Sequence, residues 1–322
     1  MRILFIGYSN VLKRKILPFI HELKSVKAVD IAKFSSQRDE IIEHINLSGE
    51  IYESYDEAIN VSNADIAYIS TVNSAHAFWA EKALKKGMHV IVDKPAFLSL
   101  DKTLELVMLA EKLKLGIAEA TVYPFHPQIS KVIEVIEKEN LYPTHLTINF
   151  SFPPMDSENF RYKKDLGGGA LNDLGPYFVS AGRVFFNESP EKLLCLINDF
   201  DFKHEVETSF SVLAQYNNGR SLIGNFGFSS EYINRLNLFG ENFYFEINRV
   251  FTPPGDLENE VLMKMNNSSK LIKTEKSNCF INFLQKFIDS IERGEYRSFS
   301  SMLIQDAKSI ELLKMNILGR NV

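Results

Sequence analysis

The sequence predicts an α/β protein with two domains: a doubly wound parallel sheet in residues 1–120, then an α+β domain with an open, largely antiparallel sheet in residues 121–322. Three observations lead to this prediction. A length of 322 residues favours two domains over one. In the first 120 residues, short apolar runs alternate with helical patterns. Residues 191–265 instead form a series of segments in which apolar and polar residues alternate.

Five apolar runs in the first domain predict buried strands, and a weaker run at Glu50–Tyr52 predicts a sixth. The five runs are Ile3–Gly7, Val29–Phe34, Asp65–Ser70, Val90–Asp93 and Gly116–Ala120. Between two of them, Asn73–Lys86 places Ala77, Ala80 and Leu84 on one face of a predicted helix. Parallel strands joined by right-handed helical crossovers form a nucleotide-binding architecture.

The second domain begins with a predicted linking helix, Phe125–Lys138, followed by a strand at Thr144–Pro153. Among the alternating segments, Asn217–Gly219 contains the Asn-Gly pair of a tight hairpin turn. Two predicted helices, near Cys279–Arg293 and Met302–Met315, follow at the end of the chain. Because the alternation leaves one sheet face available for packing, we expect a homodimer or homotetramer.

The composition is that of an ordinary soluble protein, with 45% hydrophobic and 24% charged residues and a net charge of −5. Negative charge disfavours a nucleic-acid or anionic-membrane partner, and no apolar run approaches the length of a membrane span. The N-terminus starts directly with a strand pattern rather than a signal peptide. Cys195 and Cys279 are isolated, and no histidine pair has metal-ligand spacing. We expect a cytoplasmic protein without metal or disulfides.

The turn after the first strand is a candidate cofactor site. Dinucleotide-binding turns follow the pattern G-x-G-x-x-G/A, and here Gly7 matches while Ser9 and Leu12 replace the other glycines. Gly7, Ser9, Asn10 and Val11 are the candidate contacts. An ordinary strand-to-helix turn is an equally good interpretation of these residues alone. The position directly before a helix N-terminus, which attracts phosphate, favours the cofactor site.

The end of the second strand discriminates between cofactors. A site that prefers NAD places a carboxylate there for the ribose 2′-hydroxyl, whereas a site for NADP avoids it and supplies hydroxyls and arginine. This chain has Ser35, Ser36 and Arg38 at that place. We therefore predict NADP as the preferred cofactor, with NAD as the alternative.

The segment His89–Pro95 (HVIVDKP) predicts a reactive lysine. Four apolar or β-prone residues form a buried strand, which must end at Pro95 because proline lacks an N–H and holds the preceding residue extended. Lys94 is thereby fixed at the carboxyl end of a buried strand, where ligands bind in open α/β sheets.

A second candidate lies at Leu166–Tyr177, where three glycines precede a helical pattern. Consecutive glycines suit a place where backbone passes close to a ligand. Asp173 and Tyr177 are four residues apart and share one helix face, although Pro176 should bend that helix. A buried structural tyrosine and a reactive tyrosine are about equally well supported by these residues.

Five stretches in order resemble the glucose–fructose oxidoreductase / inositol dehydrogenase (Gfo/Idh/MocA) family. They are the turn at Gly7, Tyr68–His76, Asp93–Pro95, Phe125–Gln128 and Leu166–Tyr177. The resemblance implies an N-terminal Rossmann domain, a C-terminal open sheet and NAD(P). Many members carry Asp-x-x-x-His on the catalytic helix. Tyr177 in place of the histidine resembles the branch that includes sugar ketoreductases, in which the tyrosine handles the substrate proton.

The expected chemistry is hydride transfer to or from a sugar carbonyl or hydroxyl, which needs a cation and a proton donor at the oxygen. Lys94 supplies the first and Tyr177 the second, while Asp173 orients a sugar hydroxyl or the lysine. Arg161 and Tyr162 are candidate substrate contacts. The nicotinamide is expected near these strand-end residues: Ser70, Thr71, Asn73, His76, Asp93 and Lys94.

Two other functions are also compatible with these residues. One is a dehydrogenase for another polyol, such as a dihydrodiol or an inositol. The other is a dinucleotide-binding sensor without chemistry, which the altered glycine turn supports; retention of both Lys94 and Tyr177 argues against it.

Overall fold

A computed structural model describes residues 1–33 and 48–318 of the chain. The chain divides into two compact units: Met1–Ala120 with Phe280–Ile304, and Thr121–Cys279 with Gln305–Val322. The segment Phe280–Ile304 therefore lies in the first unit, whereas the sequence analysis assigns it to the second domain. In the described part of the chain, no helix has the length and apolar character needed to cross a membrane.

The first unit contains a six-stranded parallel sheet in the order β3-β2-β1-β4-β5-β6. Its strands are β1 (Arg2–Ile6), β2 (Ala28–Ala32), β3 (Ile51–Tyr52), β4 (Ile66–Ile69), β5 (His89–Val92) and β6 (Ile117–Glu119). All six predicted strands are present within about two residues of the expected bounds. Nearly all central-strand residues are buried, as expected when helices cover both faces of a parallel sheet.

The described part of the first unit has these α-helices, two of which begin at serine caps. They are α1 (Tyr55–Val61), α2 (His76–Lys85), α3 (Leu100–Leu113) and α6 (Cys279–Arg293). Ser54 and Ser99 accept hydrogen bonds from backbone amides in the first turns of α1 and α3, which satisfies donors that a helix start leaves free. The predicted helix at Asn73–Lys86 is confirmed as a short 3-10 turn, Asn73–Ala75, leading into α2.

The segment after β1 is not the regular helix that the sequence predicts. Leu12–Ile16 is a π-helical turn, and Leu17–Glu22 is a 3-10 helix. Pro18 accounts for the change, because it lacks an N–H and its ring clashes with the carbonyl four residues earlier. The regular helix N-terminus that was expected to attract phosphate is therefore replaced by an irregular turn.

The second unit contains a nine-stranded mixed sheet in the order β14-β13-β12-β11-β7-β10-β9-β8-β15. Its strands are β7 (Pro143–Ser151), β8 (Lys192–Asp201), β9 (Val206–Gln215), β10 (Ser221–Gly227), β11 (Ile233–Gly240), β12 (Phe243–Asn248), β13 (Asn259–Met265), β14 (Ser268–Thr274) and β15 (Ile317–Leu318). Only β7–β10 and β8–β15 pair in parallel. The predicted hairpin is confirmed between β9 and β10, with Asn218 and Gly219 at positive φ.

Three further helices are α4 (Pro127–Lys138), α5 (Ala170–Phe186) and α7 (Arg297–Met315). Helix α5 packs on one face of the second sheet, and its apolar side chains join one large core cluster with those of the strands. The opposite face alternates outward and carries Leu194, Leu196, Leu213 and Ile223, each 45–48% exposed. The register places Leu194, Leu213 and Ile223 side by side across β8, β9 and β10.

Candidate active site

The first group of candidate residues lies at the switch point of the parallel sheet. Strand order reverses between β1 and β4, and ligands of such sheets bind outside the carboxyl ends of the strands at that place. Gly7 and Ser9 follow β1, Ser70 and Thr71 follow β4, and the segment from Asp93 follows β5. The fold thus places the predicted cofactor residues of the described chain on one sheet edge.

Gly7 allows the turn after β1 to pass close to the neighbouring strand. Its φ is 98°, its N–H donates to the Ala32 carbonyl at 2.9 Å, and a Cβ there would collide with the carbonyl of Ser70. Leu12, in place of the third glycine, is fully buried. Its side chain points into the core, so it does not obstruct the sheet edge. The altered turn is therefore compatible with the predicted cofactor site.

A chain of hydroxyls starts at Ser9. The Leu12 amide donates to Ser9 Oγ at 3.1 Å, Ser9 Oγ lies 2.7 Å from Ser70 Oγ, and Ser70 in turn donates to Asp93. Each hydroxyl has one proton, so Ser9 must donate to Ser70 for Ser70 to donate to Asp93. Ser9 thus connects the turn to the strand that carries the lysine.

The Asp93 carboxylate accepts on both oxygens from the protein. Tyr68 Oη donates to one at 2.7 Å and Ser70 Oγ donates to the other. On the far side, the Ala96 amide donates to Glu119 Oε2 at 2.8 Å. Half-buried Lys94, whose peptide bond to Pro95 is cis, stands between these two carboxylate contacts. Asp93, predicted as a cofactor contact, therefore holds the backbone around Lys94.

His76 joins two loops at the same edge. It is fully buried, with Nδ1 2.9 Å from the Pro95 carbonyl and Nε2 3.1 Å from the Thr71 carbonyl. Both ring nitrogens face backbone carbonyl oxygens, so the imidazole lies between the two loops and helps to shape the site. Its predicted position beside the cofactor channel is compatible with this role.

The other predicted cofactor contacts differ in exposure. Asn10 is exposed, Val11 is half-buried and Asn73 is buried, with 6% of its surface accessible. Ser35, Ser36 and Arg38, which predict the choice of NADP, lie outside the described residues. Tyr68 and Glu119 were not predicted, although Glu119 ends the strand beside β5 and the strand order could have indicated it.

The three glycines of the second unit bring backbone close to other protein groups. The Gly169 amide donates to the Arg161 carbonyl at 2.9 Å, and a Cβ on Gly169 (φ 100°) would meet the Glu207 carboxylate. Glu207 also accepts from the Leu171 amide at 3.0 Å, at the start of α5. The close approach of backbone expected at the glycines is therefore to Arg161 and Glu207. These two residues hold the loop that precedes α5 against the helix.

This loop brings Arg161 to Asp173. Arg161 Nε donates to Asp173 Oδ2 at 2.7 Å; the side chain of Arg161 is 26% exposed and that of Asp173 only 6%. Burial lowers the pKa of Arg161, but the Asp173 carboxylate and the charge of an ionised Tyr177 outweigh it and raise that pKa. Asp173 thus holds Arg161, where the sequence analysis expects it to orient a sugar hydroxyl or Lys94.

Tyr162 belongs to the core of the second unit. It is 8% exposed, its ring packs edge-on against Phe228 at 5.3 Å, and its hydroxyl accepts from the Met155 amide at 3.3 Å. The predicted substrate contact is therefore a packing residue, because a motif alone does not reveal which of two adjacent side chains faces inward. Its neighbour Arg161 keeps part of its surface accessible.

Tyr177 stands half-buried on α5, which continues through Pro176 to Phe186. Three rings surround it, with centroids at 4.8 Å for Phe251, 5.2 Å for Phe150 and 6.2 Å for Tyr123. The Asp173–Arg161 pair lies one helical turn away on the same face. The predicted helix face thus carries both the phenol and an anchored guanidinium.

In the described ranges, no group of three or more His, Cys, Asp or Glu residues could hold a metal ion. The first unit presents a dinucleotide-type sheet edge with a lysine, and the second presents a phenol beside an anchored guanidinium. These features define the class of dinucleotide-dependent oxidoreductases that have a Rossmann domain and a second, substrate-binding domain.

The comparison with known families agrees. Residues 1–120 match the NAD-binding Rossmann fold of the Gfo/Idh/MocA oxidoreductases, and residues 137–246 match a C-terminal domain of the same family. Together the two matches cover most of the chain. The chain belongs to the Gfo/Idh/MocA oxidoreductase family.

Two curated relatives and one solved enzyme are similar over long stretches. A dTDP-3,4-didehydro-2,6-dideoxy-α-D-glucose 3-reductase of Actinomadura kijaniata is 23% identical over 98% of this chain and 95% of its own. A D-xylose 1-dehydrogenase (NADP+) of Haloferax volcanii is 29% identical over 66% and 65%. The 3-ketoreductase KijD10 of A. kijaniata, solved with NADP and TDP-benzene, superposes with a TM-score of 0.91 at 23% identity and 98% coverage of both chains.

Structures of KijD10 variants are also similar in fold. A tyrosine-to-phenylalanine variant gives a TM-score of 0.91, and a lysine-to-alanine variant gives 0.86. Both cover 98% of this chain and of the variant chain, at 22% and 21% identity.

Proposed function

We propose that this protein is an NADP-dependent reductase of a ketone on a nucleotide-linked sugar. The observation that carries the proposal is the match to a dTDP-sugar 3-reductase over almost the whole of both chains, combined with Lys94 and Tyr177 at the two predicted positions. Overall topology alone would leave the substrate open, because one fold hosts many reactions.

The first unit would hold the cofactor. Gly7, Ser9 and Thr71 line the sheet edge at the switch point, and NADPH bound there supplies the hydride. The preference for NADP rests on Ser35, Ser36 and Arg38 in the sequence, on the relative named as an NADP+ dehydrogenase, and on KijD10, which was solved with NADP. These residues provide hydroxyls and a guanidinium without a carboxylate that would repel a 2′-phosphate.

Lys94 and Tyr177 would carry the chemistry of the substrate oxygen. When hydride reaches a carbonyl carbon, negative charge develops on the oxygen, and a nearby ammonium stabilises it. The Tyr177 phenol then donates its proton to that oxygen, and it takes the proton back in the oxidative direction. Arg161, anchored by Asp173, presents its remaining donors to the substrate.

Purified protein should oxidise NADPH in the presence of a dTDP-linked 3-keto-6-deoxysugar, as followed by the absorbance of the reduced nicotinamide. We expect a higher kcat/KM with NADPH than with NADH, and a higher one with the nucleotide-linked sugar than with the free ketosugar. Absence of turnover together with tight NADP binding would favour the sensor instead. A preference for NADH would contradict the assignment of the cofactor.

A second candidate is oxidation of a free sugar. The D-xylose dehydrogenase relative has the higher identity, although over two thirds of the chain only. NADP reduction by D-xylose, with no activity on dTDP-linked ketosugars, would favour this candidate. Both candidates use the same cofactor and the same residues.

We further propose that the protein acts in the cytoplasm as a homodimer or homotetramer. Support comes from the outer face of the second sheet, where Leu194, Leu213 and Ile223 form an exposed apolar row. Substitution of Leu213 by Glu should lower the mass in analytical ultracentrifugation, to the monomer if the protein is a dimer and to a smaller oligomer or the monomer if it is a tetramer. An unchanged mass would exclude this face as the subunit contact.

A further inference from the structure

The Phe125–Gln128 motif has a role in the structure that the proposed reaction does not yet use. Gln128 is fully buried in α4, and its Nε2 donates to the Val250 carbonyl at 3.2 Å. The residues are 122 positions apart in the chain. A buried amide committed to one distant carbonyl indicates that the position of that carbonyl matters.

Asn234 holds the same segment from the other side. Its Oδ1 accepts from the Phe251 amide at 3.1 Å, and its Nδ2 donates to Thr252 Oγ1 at 2.8 Å. The Arg249 amide donates to the Asn234 carbonyl at 2.6 Å. Residues 249–252, which follow β12, are thus fixed by polar contacts on both flanks although they belong to no strand or helix.

The side chain that this segment delivers is Phe251. It is 2% exposed and its ring lies 4.8 Å from the ring of Tyr177, the shortest of that residue's three ring contacts. Phe251 also packs on Phe150 at 5.4 Å and on Tyr123 at 5.0 Å. Phe150 and Tyr123, which also contact Tyr177, therefore contact Phe251 too, which places Phe251 at the centre of these four rings.

Tyr177 needs such support. A phenol on a helix can rotate about two side-chain bonds, and only one orientation aims its hydroxyl at the substrate oxygen. Displacement of a reacting group by about 1 Å can cost about 10²-fold in rate. Packing by neighbouring side chains is the usual way in which proteins fix a reacting group to that accuracy.

We propose that Phe251 is a positioning residue for Tyr177, and that Gln128 acts on Tyr177 through it. The inference rests on the proposed function in which the Tyr177 phenol transfers the proton. It assigns a role in the reaction to Gln128 of the Phe125–Gln128 motif.

The test is a set of mutant cycles in the full chain. Phe251→Leu and Gln128→Met are made alone and together with Tyr177→Phe, and kcat and KM are measured with NADPH and a dTDP-linked 3-ketosugar. The matched control is Phe245→Leu: Phe245 is fully buried on neighbouring β12, and its ring packs on Phe243 at 5.9 Å. Thermal unfolding midpoints are measured for every variant.

We expect Phe251→Leu and Gln128→Met each to lower kcat by about tenfold or more, with the KM for NADPH unchanged. In the Tyr177→Phe background, each should have less than about a twofold further effect, because the group that they position is gone. Phe245→Leu should lower the unfolding midpoint, while its effect on kcat is small and the same in both backgrounds.

Two results would overturn the inference and leave the proposed function intact. One is a kcat for both variants as high as that of Phe245→Leu; the other is an undiminished effect in the Tyr177→Phe background. Near-normal kcat in Tyr177→Phe alone would instead remove the proton-transfer role, and this inference with it. If Phe251→Leu does not fold, Gln128→Met decides between these results, since it leaves the aromatic group complete.

Discussion

The two units hold their candidate residues by different means. At the edge of the first sheet, Lys94 is placed by backbone: it lies two residues after β5, and the carboxylates of Asp93 and Glu119 hold the chain on either side. In the second unit, Tyr177 extends from a helix and is held by the rings of Phe150 and Phe251. The first arrangement is polar and formed at the ends of neighbouring strands, whereas the second is apolar and assembled from distant segments.

This difference indicates where each unit should tolerate substitutions. A group that follows a strand of a parallel sheet is held by backbone and by hydrogen bonds to neighbouring strand ends, so most of its contribution is lost only when the group itself is replaced. A group fixed by packing depends on several residues. Replacing any one of them should lower the rate moderately, because a packed interior transmits small displacements. Substitutions in the two units test this contrast.

The largest effect is expected for Lys94→Ala. Loss of the ammonium removes stabilisation of the developing oxyanion, so kcat should fall by about 10³-fold. NADPH binding should persist, as measured by quenching of Trp79, which is the single tryptophan. Lys86→Ala, at an exposed site after α2, is the control and should keep full activity. A near-normal rate in Lys94→Ala would remove the lysine from the reaction.

Tyr177→Phe should lower kcat by about 10²- to 10³-fold, the range for loss of a general acid. The smaller loss reflects that solvent can deliver a proton slowly, whereas nothing replaces the ammonium. The pH dependence of kcat should also lose the limb that belongs to the phenol. An unchanged pH profile in the variant would assign the proton transfer to another group.

Acid should weaken the second unit through His126. The backbone N–H of Gln128 donates to His126 Nδ1 at 3.2 Å, and this hydrogen bond requires a neutral ring. Burial lowers the pKa of His126 to about 4. Above pH 6.5 the ring is neutral in both folded and unfolded chains. Between about 6.5 and 4 the unfolded chain binds a proton that the folded chain refuses, so the free energy of unfolding falls as pH falls.

The total loss should reach up to about 3 kcal/mol and should level off below about pH 4. Denaturant unfolding at several pH values measures it. His126→Asn can still cap α4 but does not titrate, so its stability should lack this step. If the free energy of unfolding falls equally with pH in the unsubstituted protein and in His126→Asn, His126 does not cause the loss.

The smallest effect is expected for Arg161→Gln. Breaking the contact with Asp173, whose side chain is 6% exposed, leaves a nearly buried carboxylate without its partner and should cost about 2 kcal/mol of stability. Substrate KM should rise by about tenfold, because the anchored guanidinium no longer faces the ligand. Lys164→Gln removes an exposed charge, paired with Glu205, and should change neither value. Equal behaviour of the two variants would exclude Arg161 as a substrate contact.

The sequence predicts well what depends on short-range pattern. Buried strands, the Asn218-Gly219 hairpin and the lysine at the end of β5 follow from apolar runs, turn residues and a proline. These features need only a few adjacent residues. The position of Lys94 could therefore be predicted from seven letters of sequence.

What could not be predicted depends on contacts between distant residues. Arg161 reaches Asp173 because Gly168 and Gly169 fold a loop back onto α5, and Phe251 reaches Tyr177 from 74 positions further along. Nothing in the local pattern distinguishes Arg161 from buried Tyr162 beside it. The π-helical turn after β1 is a different case, since Pro18 was visible and its effect on the preceding turn could have been anticipated.

We propose that Lys94 and Tyr177 serve the same chemical step. The most direct measurement compares single-turnover rates of hydride transfer in Lys94→Ala, Tyr177→Phe and the double variant. If both side chains act on one oxygen in one transition state, the double variant should be little slower than Lys94→Ala alone. Losses that multiply, to about 10⁵-fold or more, would show two independent contributions and contradict the account.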